Sequence, residues 1–176
     1  LSFNKQLTEY DFPITLSNGI SLNEDEGILY HVDSATQGIW KMSYDQGGNI
    51  NNRELFFECD QLLGFPDGIT IDENGDLWVP LFKSKFIVEN YNDKSIMYKI
   101  SGKTGDILEQ YDFDISHITS CQFGGENLQY LFVTTACDLF NEVDKDFQPS
   151  AGRIHVLDVG VTGRISKLKK GKGATL

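Results

Sequence analysis

One short unit of sequence occurs three times along the chain, and that repetition constrains the fold more than any other feature. Its clearest copy is Asp67-Gly-Ile-Thr-Ile-Asp-Glu-Asn-Gly-Asp-Leu-Trp78. Ile69 and Ile71 alternate with polar neighbours, as a half-buried strand requires. Asn74-Gly75 is a dipeptide suited to the positive backbone angles of a two-residue hairpin, and Leu77, Trp78 and Val79 begin the return strand. An earlier copy, Asn18-Gly-Ile-Ser-Leu-Asn-Glu-Asp-Glu-Gly-Ile-Leu-Tyr30, carries one extra residue in its turn. A weaker third is Thr119-Ser-Cys-Gln-Phe-Gly-Gly-Glu-Asn-Leu-Gln-Tyr-Leu-Phe-Val133. Asn18, Asp67 and Thr119 hold the same place in the three copies.

A four-strand period of about 40–50 residues is the mark of propeller blades. The first full blade is predicted to use strands at 20–22, 28–33, 38–44 and 53–58. The second uses 69–71, 77–82, 95–100 and 107–113. The third uses 120–123, 130–135, 153–159 and a weak 164–168. Residues 1–15 are expected to finish a preceding blade with one or two strands, placing Leu7, Tyr10 and Phe12 in a core. Helical periodicity is absent, so the fold class is all-β. Equivalent positions in successive blades surround one axis, so Asn18 and Asp67 are expected to converge.

Three repeats fall short of the four to eight blades that close a propeller. Residue 1 is a leucine that reads like the inside of a strand. Residues 1–176 are therefore expected to form one partial propeller, the C-terminal portion of a longer chain. At 40% hydrophobic and 12% aromatic the composition supports a core. A net charge of −11 repels nucleic acid and anionic membranes and suits cations or neutral substrates. No apolar run approaches the roughly 20 residues that span a bilayer. Cys59, Cys121 and Cys137 form no paired motif and are expected to be small buried residues, which favours a reducing, cytoplasmic setting. Nothing in the sequence sets an oligomeric state. Two loops, 83–94 and 138–150, and the basic tail from Lys167 to Lys172 are read as surface features.

Most candidate chemistry fails on inspection. The acidic turn from Asp72 to Asp76 has its glycine too early for a calcium loop, and Lys83 stands where the bidentate glutamate belongs. Glu24, Asp25 and Glu26 occupy the equivalent turn. His31, His117 and His155 show no ligand spacing, and neither a Gly-x-Ser-x-Gly elbow nor a phosphate cradle is present. Asn18-Gly19 and Asp67-Gly68 are, singly, common turn dipeptides. As one position repeated in two blades, they read as a site. A carboxylate buried there alone costs about 3–5 kcal/mol, which a hard cation held by amide and carboxylate oxygens removes.

These residues resemble the senescence-marker-protein/gluconolactonase/regucalcin family, which includes insect luciferin-regenerating enzymes. The resemblance lies in Leu-Ser-Asn-Gly at 16–19, Phe-Pro-Asp-Gly-Ile-Thr-Ile-Asp-Glu-Asn-Gly-Asp-Leu-Trp-Val at 65–79, Thr-Ser-Cys-Gln-Phe-Gly-Gly at 119–125 and Gln-Pro-Ser-Ala-Gly-Arg-Ile at 148–154. It implies a six-bladed propeller, of which this chain supplies the last three to four blades, with one divalent cation in the channel. It implies Asn18 as a metal ligand and Asp67 as a ligand that is also the general base. A further glutamate ligand and a substrate-binding arginine and asparagine would lie upstream. The cation implied is calcium first, with zinc, magnesium and manganese as alternatives. The implied activity is that of a lactonase opening sugar or related lactones. The alternatives are a calcium-binding regulatory or scaffold propeller without turnover, or a luciferin-regenerating type of enzyme. The implied partner is a small lactone or ester, with no nucleic acid or membrane. Two departures stand out: Pro80, where a small residue is usual and a bulge or strand end is implied, and a longer 83–94 loop.

Overall fold

The computed structural model describes residues 8–60, 63–83, 94–137 and 148–165. The described residues hold twelve strands and no helix, so none is long and apolar enough to cross a membrane. Strands β1 (Ser17–Asn23), β2 (Ile28–Asp33), β3 (Gly38–Tyr44) and β4 (Ile50–Glu58) form an antiparallel sheet in chain order. The second sheet has β5 (Phe65–Pro66) and β6 (Thr70–Ile71), both paired to β7 (Leu77–Phe82), then β8 (Ser95–Ile100) and β9 (Ile107–Phe113). The third is β10 (Ile118–Gly124), β11 (Tyr130–Thr135) and β12 (Ile154–Asp158). Each sheet is one blade of a partial propeller.

The blades stack through two cores, and the middle blade belongs to both. Ile69, Ile71, Leu77, Val79 and Leu81 pack against Tyr30, Val32 and Ile39 of the first blade. Trp78 and Met97, alternating to the opposite face, pack with Ile118, Phe123, Leu131 and Val133 of the third. A strand between two blades is covered on both faces and reads mostly apolar, and every residue of β8 is buried; its Lys99 is accommodated by the Asp72, Asp76 and Glu109 carboxylates around it. The first and third blades each keep one open face, with Ile20 at 61% exposure on one and Ile154 at 66% on the other.

Several expectations need correction. Residues 8–15 form no strand, and Leu7 lies outside the described residues. Tyr10 and Phe12 stack on each other, half-buried, while the Tyr10 hydroxyl donates to the Gly48 carbonyl. Pro13 and the capture of the Thr15 and Leu16 amides by the Asp33 carboxylate take this segment off any ladder. The Asn74-Gly75 turn is not a two-residue hairpin. Asp72 and Asp76 pair across a three-residue loop, and only Gly75 takes a positive φ, of 84°. Asp72 Oδ1 accepts from the Asn74 and Asp76 amides and so holds this wider turn. Arg164 and Ile165 extend no strand; Gly163 bridges to Asp72 instead, and 166–168 lie outside the described residues. Cys59 and Cys121 are buried, but Cys137 is exposed, because it follows the end of β11 rather than lying within it. Nearly all of the 83–94 and 138–150 loops, and the lysine tail, lie outside the described residues.

Candidate functional site

The first strand of each blade departs from regular pairing at one repeated position. In the first blade Ser17 pairs with Asp33 and Ile20 with His31, so Asn18 and Gly19 together face Val32. In the second, Pro66 pairs with Leu81 and Thr70 with Trp78, leaving Asp67, Gly68 and Ile69 opposite Val79 and Pro80. In the third, Ile118 pairs with Thr135 and Ser120 with Thr134, which leaves Thr119 as the extra residue. A bulge interrupts the ladder and re-aims the side chain it carries. Here it falls on Asn18, Asp67 and Thr119. Pro80 fits this arrangement: β7 runs through it without ending, its carbonyl takes the Asp67 amide, and the irregularity falls on the facing strand.

The glycines beside these residues serve close approach, not turn formation. A Cβ on Gly19 would lie 2.3 Å from the Asp67 carbonyl oxygen, and one on Gly68 would lie 2.2 Å from Ser120 Oγ. Neither glycine takes a positive φ. The Gly68 amide donates to the Thr119 carbonyl across the blade boundary at 2.9 Å. Adjacent blades therefore meet backbone to backbone where the site residues sit.

Asn18 and Asp67 are brought together. The Asn18 amide donates to the Asp67 carboxylate. The same amide nitrogen donates to Ser34 Oγ at 3.2 Å, and Ser34 donates to the Pro66 carbonyl at 2.6 Å. With both amide protons engaged, Asn18 Oδ1 is the atom open to a further partner. Burial pushes the Asp67 carboxyl up to about 6; the Asn18 amide and the Gly68 N–H pull the other way. Among the described residues no cationic side chain acts on it. A half-buried carboxylate beside an amide oxygen suits a hard divalent cation such as calcium or magnesium. Among the described residues no group of three or more His, Cys, Asp or Glu could hold a metal.

Asn18, Ser34 and Asp67 open onto a cavity of about 470 Å³ between the first two blades. Its remaining described walls are Leu16, Ala35, Phe65, Pro66 and Phe82. Thr119 is not part of the lining; its hydroxyl bonds to Thr134 Oγ1 at 2.8 Å. His31 bonds to Ser17 Oγ in the first sheet, and His155 lies on β12. His117 is buried behind the cavity wall, edge-on to Phe82 with ring centroids 4.7 Å apart. Ser34 escaped the sequence reading. Its only signal is a hydroxyl beside Asp33 in the β2–β3 turn, which does not reveal its reach to the next blade.

The profile of the SMP-30/gluconolactonase/LRE-like region matches residues 1–137. A Bacillus subtilis (strain 168) protein provisionally named a sugar lactone lactonase is 33% identical over 155 residues, 86% of this chain and 49% of that protein. Regucalcin of Xenopus laevis is 32% identical over 152 residues, 85% of this chain and 48% of its own. The solved structure of a luciferin-regenerating enzyme superposes with a TM-score of 0.70 at 29% identity, covering 86% of this chain and 48% of that one. The chain thus spans about half the length of the curated relatives it matches. On the extent of the profile match and the shared blades, the chain belongs to the SMP-30/gluconolactonase/LRE-like family.

Proposed function

We propose that the whole protein is a divalent-metal-dependent hydrolase that opens lactones, with Asp67 as general base and Asn18 and Asp67 as this chain's metal ligands. The observation that carries the reading is the Asp67 carboxylate, lifted to about 6 by burial and set on a bulge beside Asn18 at the cavity floor. A base with that value is ionised near neutral pH yet still accepts a proton readily. Family membership supports the reaction class, and the Bacillus relative's name points to lactones.

When bound, a divalent cation would polarise the carbonyl and acidify a water molecule. Asp67 takes a proton from the water as its oxygen attacks the lactone carbonyl. The ring C–O bond then breaks, and the proton held on Asp67 passes to the departing oxygen. The product is the open hydroxy acid, and Asp67 returns to its carboxylate form. Asn18 cannot ionise, so it takes no proton and only orients through Oδ1, with its nitrogen held by Ser34. Calcium is the cation we favour, because both donors are oxygens.

The test is lactone hydrolysis by the full-length protein with calcium, magnesium, manganese or zinc. Asp67→Asn should lower turnover about 10²–10⁴-fold, and excess metal should not restore it. Asn18→Asp should tighten cation binding and lower turnover less. Intact hydrolysis and unchanged metal affinity in both variants would remove these residues from the site. Cation binding by the wild type without hydrolysis of any lactone would favour a binding propeller instead.

A further inference from the structure

We propose that His117 is a positioning residue for the candidate site: hydrogen bonds running back through Ser116 to Gln148 fix its ring, and the ring fixes Phe82 as cavity wall. This deepens the hydrolase reading and rests on it, because the part assigned to His117 is in holding the lactone. All three residues of the chain of bonds are buried. Gln148 Oε1 accepts the Ser116 backbone amide at 2.9 Å, which identifies that atom as the oxygen of the side-chain amide. Ser116 Oγ donates its single proton to the same oxygen at 3.1 Å. The 2.6 Å bond between Ser116 Oγ and His117 Nδ1 is therefore donated by the imidazole, and Nδ1 carries the proton.

Ser116 and His117 hold Phe82 in two ways. The Ser116 carbonyl accepts the amide of Lys83, the next residue along, at 2.9 Å. The His117 ring meets the Phe82 ring at 4.7 Å with the planes 77° apart. Phe82 pairs with Phe65 across β5 and β7, beside Pro66 and Asp67, and shares the cavity lining with them. An imidazole turns readily about its second side-chain torsion, and the bond at Nδ1 removes that freedom. Phe82 thus meets a fixed neighbour. The His117 carbonyl accepts the Ala136 amide at 2.9 Å, which roots the brace in the third blade. A blade that supplies no described residue to the lining is in this way coupled to the cavity between the other two. Lys83 and Gln148 belong to the two long loops of the sequence, and both are bound at Ser116.

The first measurement uses the unsubstituted full-length protein. Long-range nitrogen–proton NMR of the His117 ring, assigned by its loss in His117→Phe, should show Nδ1 protonated. A ring protonated at Nε2 alone would overturn the proposal. Hydrolysis of gluconolactone is then followed with calcium, magnesium, manganese or zinc. Ser116→Ala removes the hydroxyl that holds the ring, and His117→Phe keeps a ring but not the bond. Each should raise KM about two- to tenfold, the worth of an edge-on ring contact, and leave kcat and calcium affinity unchanged. Phe82→Leu removes the ring on which both act and should raise KM by itself. In that background Ser116→Ala should add nothing, because the two residues act in series. A full further rise in the double variant, or a fall in kcat in place of the rise in KM, would show that His117 does not act through Phe82. Should His117→Phe fail to fold, the Ser116 and Phe82 variants still decide the matter. Wild-type hydrolysis with KM unmoved in Ser116→Ala sinks the positioning role alone. No wild-type hydrolysis under any metal sinks the hydrolase reading, and this role with it, whatever the ring's protonation.

Discussion

Asp67 and Asp72 bracket the same short strand, β6, and their surroundings are opposite. Asp72 is fully buried, and its carboxylate is saturated: Oδ1 accepts two backbone amides, Oδ2 accepts the Trp78 indole at 3.2 Å, and Lys99 Nζ stands 3.6 Å away. Asp67 is half-buried, has one amide side chain and one backbone N–H, and burial pushes its carboxyl up to about 6. Equal chemistry serves two ends of one inner strand. At one end the fold satisfies the charge and gains a fixed turn. At the other it leaves the charge short of partners, and that residual demand is what a cation or a substrate proton can answer.

The largest effect should come from breaking the saturated end. Asp72→Ala strips three donors of their acceptor and removes one of the carboxylates around the buried Lys99. We expect a loss of about 3–5 kcal/mol in urea unfolding of the full-length protein. Asp67→Ala should not destabilise the metal-free protein comparably. If the two losses are equal, the contrast between the ends is false.

Much of this was legible in the sequence, for definable reasons. The bounds 28–33, 38–44, 77–82, 95–100, 107–113 and 130–135 coincide with observed strands. Each run is flanked by turn residues, and local alternation suffices to place it. The irregularity facing Pro80 was legible as a bulge or strand end, but those at Asn18 and Thr119 were not, because a bulge is a mismatch between two strands and neither sequence carries it alone. The same blindness hid why Asn18-Gly19 and Asp67-Gly68, turn dipeptides when read singly, carry their glycines: contact with the next blade requires them. The hairpin was misjudged because Asp72, through its side chain, selects the wider loop over the Asn-Gly alternative. Cys137 misled for a simpler reason: composition predicts burial on average, not at a strand end.

A second break targets the blade boundary that sets Asp67 in place. Gly68→Ala puts a methyl 2.2 Å from Ser120 Oγ and 2.6 Å from its Cβ, so the third blade must move. A cost of about 1–3 kcal/mol is expected, as for other overpacked sites. Adding Ser120→Gly should recover most of it, and a double variant no more stable than Gly68→Ala would assign the strain elsewhere.

The contrast sharpens with pH. The Asp67 carboxyl is raised from 3.8 to about 6, so the folded state holds its proton more tightly than the unfolded chain. Its contribution is therefore fully present below about pH 4 and is lost as pH rises through about 6. Relative to Asp67→Asn, the metal-free wild type should lose about 1–3 kcal/mol across that window. Saturating calcium should narrow the gap at pH 7, because ligation compensates the charge. A gap independent of both pH and calcium would mean that Asp67 is not short of partners after all.

The smallest effect lies one shell out, at Ser34, and it separates support of the fold from support of the site. Ser34 Oγ donates to the Pro66 carbonyl and accepts from Asn18, so it joins the two blades and fixes which face of the amide looks into the cavity. Ser34→Ala removes one hydrogen bond at each side, and a stability loss of about 1 kcal/mol is expected. The loss to the site should be larger in proportion, because only the bond to the Asp67 carboxylate then orients the Asn18 amide. Cation affinity should fall about tenfold, as when other ligand-orienting partners are removed. Thr36→Ala, which removes a weaker hydroxyl bond in the same turn, is the control and should leave cation affinity unchanged. If Ser34→Ala lowers stability but leaves cation affinity alone, Asn18 does not use Oδ1 as a ligand. The demand of Asp67 must then be met by groups this chain does not supply.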